Sequence, residues 1–388
     1  MDKKNIFLGV VVYLFSVVIS YLVFAGIGIG GSITSPVPSA TKDASGKSVF
    51  DDSLPKTESC PLNGVKYSKQ QRKWWESHSP LGIMIENHKE ARPQSGLVGS
   101  DIIYEAVAEG GITRFLAVFY CQDAGIVGPV RSARTYFLDY ISEYGDNPLY
   151  AHVGGANTSG PADALSQIEK YGWQSYNDLN QFSIGFPTFW RDYERIGHEV
   201  ATEHTMYSSV SKLWDYAASK RGLTNVDEEG NSWDDNFVPY TFKNDAVVSE
   251  RPESQVISFN FWSGYSDYSV KWTYDKASNE YLRTNGGEKH TDLESKKQLS
   301  AKNIVFLYET EGRANDGYEG NLHMLYGTKG TGKATIFMDG EEISGTWSKK
   351  LRTSRTIIRD ARGKEISFNP GRIWFEIVAI GNDTLSIN

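Results

Sequence analysis

Leu81-Gly82-Ile83-Met84-Ile85-Glu86-Asn87-His88, Ile102-Ile103-Tyr104-Glu105-Ala106-Val107-Ala108 and Phe115-Leu116-Ala117-Val118-Phe119-Tyr120 are three short apolar runs, each closed by polar or turn-forming residues. Runs of this length read as strands buried on both faces. Helical patterns follow them. From Ser132 to Tyr144, the residues Ala133, Tyr136, Phe137, Tyr140, Ile141 and Tyr144 recur at helical spacing and leave Asp139 and Glu143 on the side predicted to face water. A second helix is expected after Ser159 as N-cap, and a third from Met206 to Lys220, closed by Gly222. Residues 60–226 therefore read as an α/β domain.

Beyond Asn225 the pattern turns to β: Val256 to Phe261, Ser269 to Tyr274, Asn303 to Tyr308, Ala334 to Met338, Ile343 to Trp347 and Ile373 to Ile380. Asp339-Gly340 between two of these runs predicts a type I′ hairpin, whose two central residues both need positive φ. The fold class is α+β, with the α/β domain followed by a β-rich C-terminal domain over residues 237–388. The boundary is expected in the acidic stretch from Asp227 to Asn236.

Upstream, Ile6 to Ile29 is a run of twenty-four residues without a charge, longer than the roughly 20 that a helix needs to cross the hydrocarbon core. Lys3 and Lys4 precede it and the next charge is Lys42, so the positive-inside rule places residues 1–5 in the cytoplasm and the remainder outside. The expected arrangement is a single-pass signal-anchor over residues 6–29, with the lipid bilayer as its partner. Cleavage after Ala25 is the alternative. Residues 30–59, rich in Ser, Gly and Pro, read as a disordered stalk.

The chain has 388 residues, 39% of them apolar and 13% aromatic, enough for a sizeable core. Its 40 basic and 48 acidic residues give a net charge of -8, and no basic cluster is long enough to follow a phosphate backbone, which excludes nucleic acid as a partner. Cys60 and Cys121 are the two cysteines. Export would place them where thiols oxidise, so a disulfide is expected, with two unpaired thiols as the alternative.

Several local motifs fail on context. Gly327-Thr328-Lys329-Gly330-Thr331-Gly332-Lys333 nearly spells a P-loop, but Ala334 stands where the motif needs Ser or Thr, and a β-branched run follows instead of a helix. No nucleotide or other cofactor is expected. His198-Glu199 and His204 lie at the wrong spacing for a zincin helix, and two cysteines without suitably spaced histidines do not fill a zinc site, so no metal is expected. Ser209 to Lys212 matches Ser-x-x-Lys without its companion motifs.

Polar residues instead collect where the strands end: Glu86, Asn87, His88, Arg92 and Gln94; Glu105 and Glu109; Thr113 and Arg114; Arg131 and Arg134; and His152. Loops at one edge of an α/β sheet form the ligand crevice. Arg131 and Arg134, three apart at a predicted helix start, could face one anion. A structural ion-pair network is the competing explanation. The ligand-binding candidates are Asn87, His88, Arg92, Arg114, Arg131 and Arg134, and the catalytic candidates are Glu86, Glu109 and His152.

The runs Gly82 to His88, Ala91 to Leu97, Tyr104 to Arg114, Gly128 to Arg134, Gly332 to Trp347 and Asn369 to Arg372 resemble, in order, the YerB-like family of bacterial envelope lipoproteins, whose domains have no assigned function. The resemblance covers nearly everything after Cys60 and implies an envelope location and paired N- and C-terminal domains. Two departures stand out. Ile27 follows Ala25-Gly26 where a lipid-modified cysteine would be, and Glu203-His204-Thr205 replaces a Pro-His-Asn pattern. The expected function is a membrane-anchored extracytoplasmic binding or accessory protein of the cell envelope, holding an anionic or polar wall-derived ligand or an envelope protein partner. The alternative is a hydrolase or transferase of envelope glycan or peptide, with Glu86 and Glu109 as the acid/base pair and His152 as an auxiliary group.

Overall fold

The computed structural model describes residues 39–43 and 46–388, together with Lys4, Tyr13, Phe15 and Ser16. The expected membrane span over residues 6–29 otherwise lies outside the described residues, and among those described no helix is long and apolar enough to cross a membrane. The chain divides into two units, Met1–Ser39 and Ala40–Asn388. The second unit contains every candidate site residue.

Its centre is a ten-stranded mixed sheet. The strands from the N-terminal part are β1 (Leu81–Glu86), β2 (Ile102–Glu109), β3 (Ile112–Phe119), β4 (Leu149–His152) and β5 (Asp178–Asn180). A second sheet provides β6 (Val256–Phe259), β7 (Val270–Asp275) and β8 (Glu280–Asn285). The C-terminal part then returns to the central sheet with β9 (Asn303–Glu309), β10 (Gly330–Met338), β11 (Glu341–Lys349), β12 (Ile357–Asp360) and β13 (Ile373–Ala379). The central order is β5-β4-β1-β3-β2-β13-β9-β10-β11-β12. The expectation of two domains in succession is thus corrected in one respect. Both parts share one sheet, joined where β13 pairs in parallel with β2, Ile373 opposite Ile102 and Glu376 opposite Glu105.

The period-two alternation of strands explains why both faces are buried. Met84, Tyr104, Leu116 and Phe375 point into one apolar core, while Ile83, Ile103, Phe115 and Trp374 point into another. Helix α1 (Thr135–Ile141) covers the first face and α2 (Val210–Arg221) the second. The second sheet also closes the second face, and its strands β7 and β8 alternate between buried and more exposed positions.

Helix α1 is shorter than its periodicity predicts, and its acidic residues do not face water. Asp139 is buried and accepts hydrogen bonds from Thr328 and Lys329, while Glu143, just past the helix, accepts from Lys349 at 2.6 Å and Thr356 Oγ1 at 2.6 Å. The partners all come from the C-terminal part, which a reading of the helix alone could not supply. The second predicted helix is Ala164–Lys170, capped by Asp163 instead of Ser159. In the third, Ser209 is the N-cap of α2 and accepts from the Lys212 N–H, so Ser-x-x-Lys here is a cap. Asp339 and Gly340 have φ of 56° and 76°, as the hairpin requires.

The described part of the expected stalk is also corrected. Lys56–Ser59 pairs with Lys66–Ser68, Phe50 stacks edge-on against Trp74, and the Ser48 N–H donates to Asp123 at 2.8 Å. Backbone pairing and one aromatic contact tie down a segment whose low apolar content suggested a coil. Cys60 and Cys121 form a disulfide that fastens this segment to the end of β3.

Candidate functional site

Strand β1 ends at Glu86, and the chain then makes a single 3₁₀ turn, Lys89–Ala91, capped by the His88 side chain. Three polar groupings surround that turn.

The innermost lies between the two parts of the chain. Asn87, fully buried, is its hub: its Oδ1 accepts from Arg92 Nε at 3.0 Å, Gln94 Nε2 at 3.1 Å and Asn285 Nδ2 at 2.8 Å. Its Nδ2 donates to Thr113 Oγ1 at 2.7 Å and to Glu105 Oε1 at 3.2 Å. Glu105 also pairs with Arg283 at 2.5 Å, both side chains being wholly buried. Arg283 donates to His290 Nδ1 at 2.7 Å, which leaves the other nitrogen to donate to Gln94 Oε1 at 2.8 Å. Burial, with the Arg283 charge beside it, keeps His290 neutral, well below the usual histidine range. Glu376 is pushed well above the carboxylate range by burial and then by the Glu105 charge. This grouping is a densely bonded seam, though Arg283 Nε, Asn285 Oδ1 and one Glu376 oxygen lack a hydrogen-bond partner among the described residues, and Arg92 reaches out of it toward a cleft.

In the second grouping Glu109 accepts from Arg114 at 2.7 Å and from Arg134, both arginines being almost fully buried. Burial would raise the Glu109 carboxyl, but the two guanidinium charges hold it well below its ordinary value.

The third lies nearer the surface. Glu86 accepts from Arg131 at 3.2 Å and from His204 Nδ1 at 2.8 Å. Burial pushes the Glu86 carboxyl up, yet His204, Arg131 and Arg114 outweigh it and hold it low. His204 is raised by its hydrogen bond to Glu86, against the effect of burial. The His88 ring stacks on His204, 4.8 Å between centroids and 5° between planes.

Arg131 and Arg134 therefore do not converge on one anion. Helix α1 begins only at Thr135, so Arg131 precedes it and turns to Glu86, while Arg134, as its N-cap residue, turns to Glu109. His152 is buried away from all three groupings, held by Asp178 at 2.5 Å and by the Gly154 carbonyl at 2.6 Å. Arg92 is different from the other arginines. Its Nε and Nη2 bond to Asn87, its guanidinium lies 5.2 Å from the Tyr268 ring, and no carboxylate among the described residues forms an ion pair with it. It borders a cleft of about 330 Å³ that Lys89, Asp267, Gly286, Lys289 and His290 also line. A larger cavity of about 890 Å³ opens beside Glu143, Lys349 and Arg355, but its buried charges are matched, Lys349 by Glu143 and Arg355 by Glu365.

The site thus draws on Arg283, Asn285 and His290, which the sequence offered only as scattered polar positions in β8 and the loop after it. Two contiguous segments of the chain match a known family. Residues 64–224 match the N-terminal domain, and residues 257–375 the C-terminal domain, of the "Protein of unknown function (DUF3048)" family. The chain belongs to the DUF3048 family. It is 30% identical over 332 residues to the Bacillus subtilis (strain 168) protein named "Putative lipoprotein YerB", covering 84% of this chain and 89% of that one. The crystal structure of YerB from Bacillus subtilis superimposes with a TM-score of 0.69 at 26% identity, over 86% of this chain and 100% of that one. In family terms, the two domains meet at the β2–β13 pairing, and Asn285 bonds to Asn87 and Arg283 to Glu105 across that junction.

Proposed function

We propose that this chain is a membrane-anchored, extracytoplasmic binding protein of the bacterial envelope, which holds an anionic wall-derived ligand in the cleft over Arg92. The uncharged run from Ile6 to Ile29, the disulfide and the lipoprotein relative support the location. The observation that carries the binding role is Arg92. A half-buried guanidinium without a carboxylate is costly unless a ligand supplies the counter-charge. Burial depresses it to about 10, the direction expected of a cation that lacks compensation. Its Nη1 has no hydrogen-bond partner among the described residues and faces Gly286, where an added Cβ would come within 2.9 Å of it. A carboxylate or phosphate entering the cleft would meet that nitrogen, with Lys289 at the rim and Lys89 paired there with Asp267. The hydrolase reading fares worse, because Glu86 and Glu109 are both held ionised by arginines and neither is poised as a general acid.

Calorimetric titration with soluble muropeptides and with inorganic phosphate tests this. Wild-type protein should bind at least one of them, and Arg92→Gln should weaken binding by tenfold or more. Equal affinity in the two proteins would remove the cleft from the account.

A further inference from the structure

We propose that His88, Glu90 and His204 form a binding site for a divalent transition-metal ion, with Glu86 as the carboxylate that orients His204. One potential ligand atom from each of the three residues lies within 4.8 Å of the others. With metal–nitrogen bonds of about 2.0–2.1 Å, tetrahedral ligands sit about 3.3 Å apart, so closing the site needs the ligand atoms to approach by about 1.5 Å and the His88 ring to turn out of its parallel stack on His204, because a shared ion must lie in the plane of both rings. The Glu90 side chain is free to move, since it is 51% exposed.

The geometry favours a cation. His204 Nδ1 is bonded to Glu86 at 2.8 Å, so Nε2 is the nitrogen left for an ion, and it lies 3.9 Å from the Glu90 carboxylate, too far for a hydrogen bond and near the separation of two ligands of one metal. A histidine whose second nitrogen donates to a buried carboxylate is also the usual supporting arrangement for a metal ligand. Among the described residues the His88 ring has one hydrogen-bond partner, a long 3.3 Å contact from the Glu90 N–H to its Nδ1, and can give it up. Arg131 is turned to the other Glu86 oxygen, where its charge is already balanced.

Two imidazoles and one carboxylate select a transition ion, with zinc, cobalt and iron(II) ahead of magnesium or calcium, and leave positions open for water or a further ligand. The competing explanation is an imidazolium at His204 paired with both carboxylates and no metal. The other clustered set of such residues, Cys60, Asp101 and Cys121, is closed by the disulfide.

The test is titration of the chelator-stripped full chain with Co²⁺, followed by visible absorption and by competition with Zn²⁺. One Co²⁺ per chain should give the bands of a four- or five-coordinate site, and Zn²⁺ should abolish them. His88→Ala and Glu90→Gln should both stay folded and lose affinity at least tenfold, with Glu90→Gln, at an exposed position, retaining the wild-type melting temperature. Glu86→Gln should lose 10- to 100-fold through the misdirected His204. Absence of the bands in wild type, or unchanged affinity in His88→Ala and Glu90→Gln, would overturn the proposal.

Discussion

The seam around Glu105 and Arg283 and the rim around Glu86 and His204 use the same residue types, yet they differ in what closes them. At the seam the two family domains press together, and the central charges meet fixed partners: Arg283 has Glu105 and His290, and the aromatic faces of Trp374, Trp272 and Phe115 surround its guanidinium. At the rim His88 and Glu90 remain accessible, and His204 keeps one nitrogen unengaged by any hydrogen bond among the described residues. A polar cluster holds the fold together when it is sealed from both sides, and becomes available for binding when one side is left open.

The contrast breaks most sharply at Arg283. Replacing it with Ala strands the Glu105 charge beside an already burdened Glu376, and should cost about 3–5 kcal/mol in chemical denaturation. A loss below about 1 kcal/mol would mean that the seam is hydrated. Glu309, buried against Tyr140, extends the same logic to pH: burial raises its carboxyl to about 8. Between its unfolded value near 4.5 and about 8, the native state holds a proton that the unfolded chain has released. Its contribution is therefore complete below the lower value and is lost as pH rises through the upper one, by up to about 1.4 kcal/mol per pH unit. Glu309→Gln should flatten that decline in melting curves from pH 5 to 8; an unaltered pH profile would contradict it. The smallest effect belongs to the rim. Arg131 is 25% exposed and Glu86 keeps His204, so Arg131→Ala should destabilise by about 1 kcal/mol. A cost approaching that of Arg283→Ala would place Arg131 in the seam.

Much of this was legible in the residues. The apolar runs ending at Glu86, Glu109 and Phe119 gave strands, because burial on both faces leaves an unbroken apolar signature. Asn87, Arg92 and Glu105 do share one bonded network, but Glu105 lies inside β2 and Arg114 turns away to Glu109. What could not be read was pairing over long sequence distances: that Glu376 lies opposite Glu105, that Arg283 neutralises it, and that Lys349 draws Glu143 inward. No local period encodes such contacts. The placement of His204 was equally hidden, since it reaches Glu86 from 118 residues away.

The position of β13 has a consequence for how the protein is made. This strand lies in the middle of the central sheet, with β2 on one side and β9 on the other, yet it follows both of them in the chain. A chain emerging from its N-terminus therefore cannot zip its halves together until residues 373–379 have been made, and two open edges wait for the same late strand.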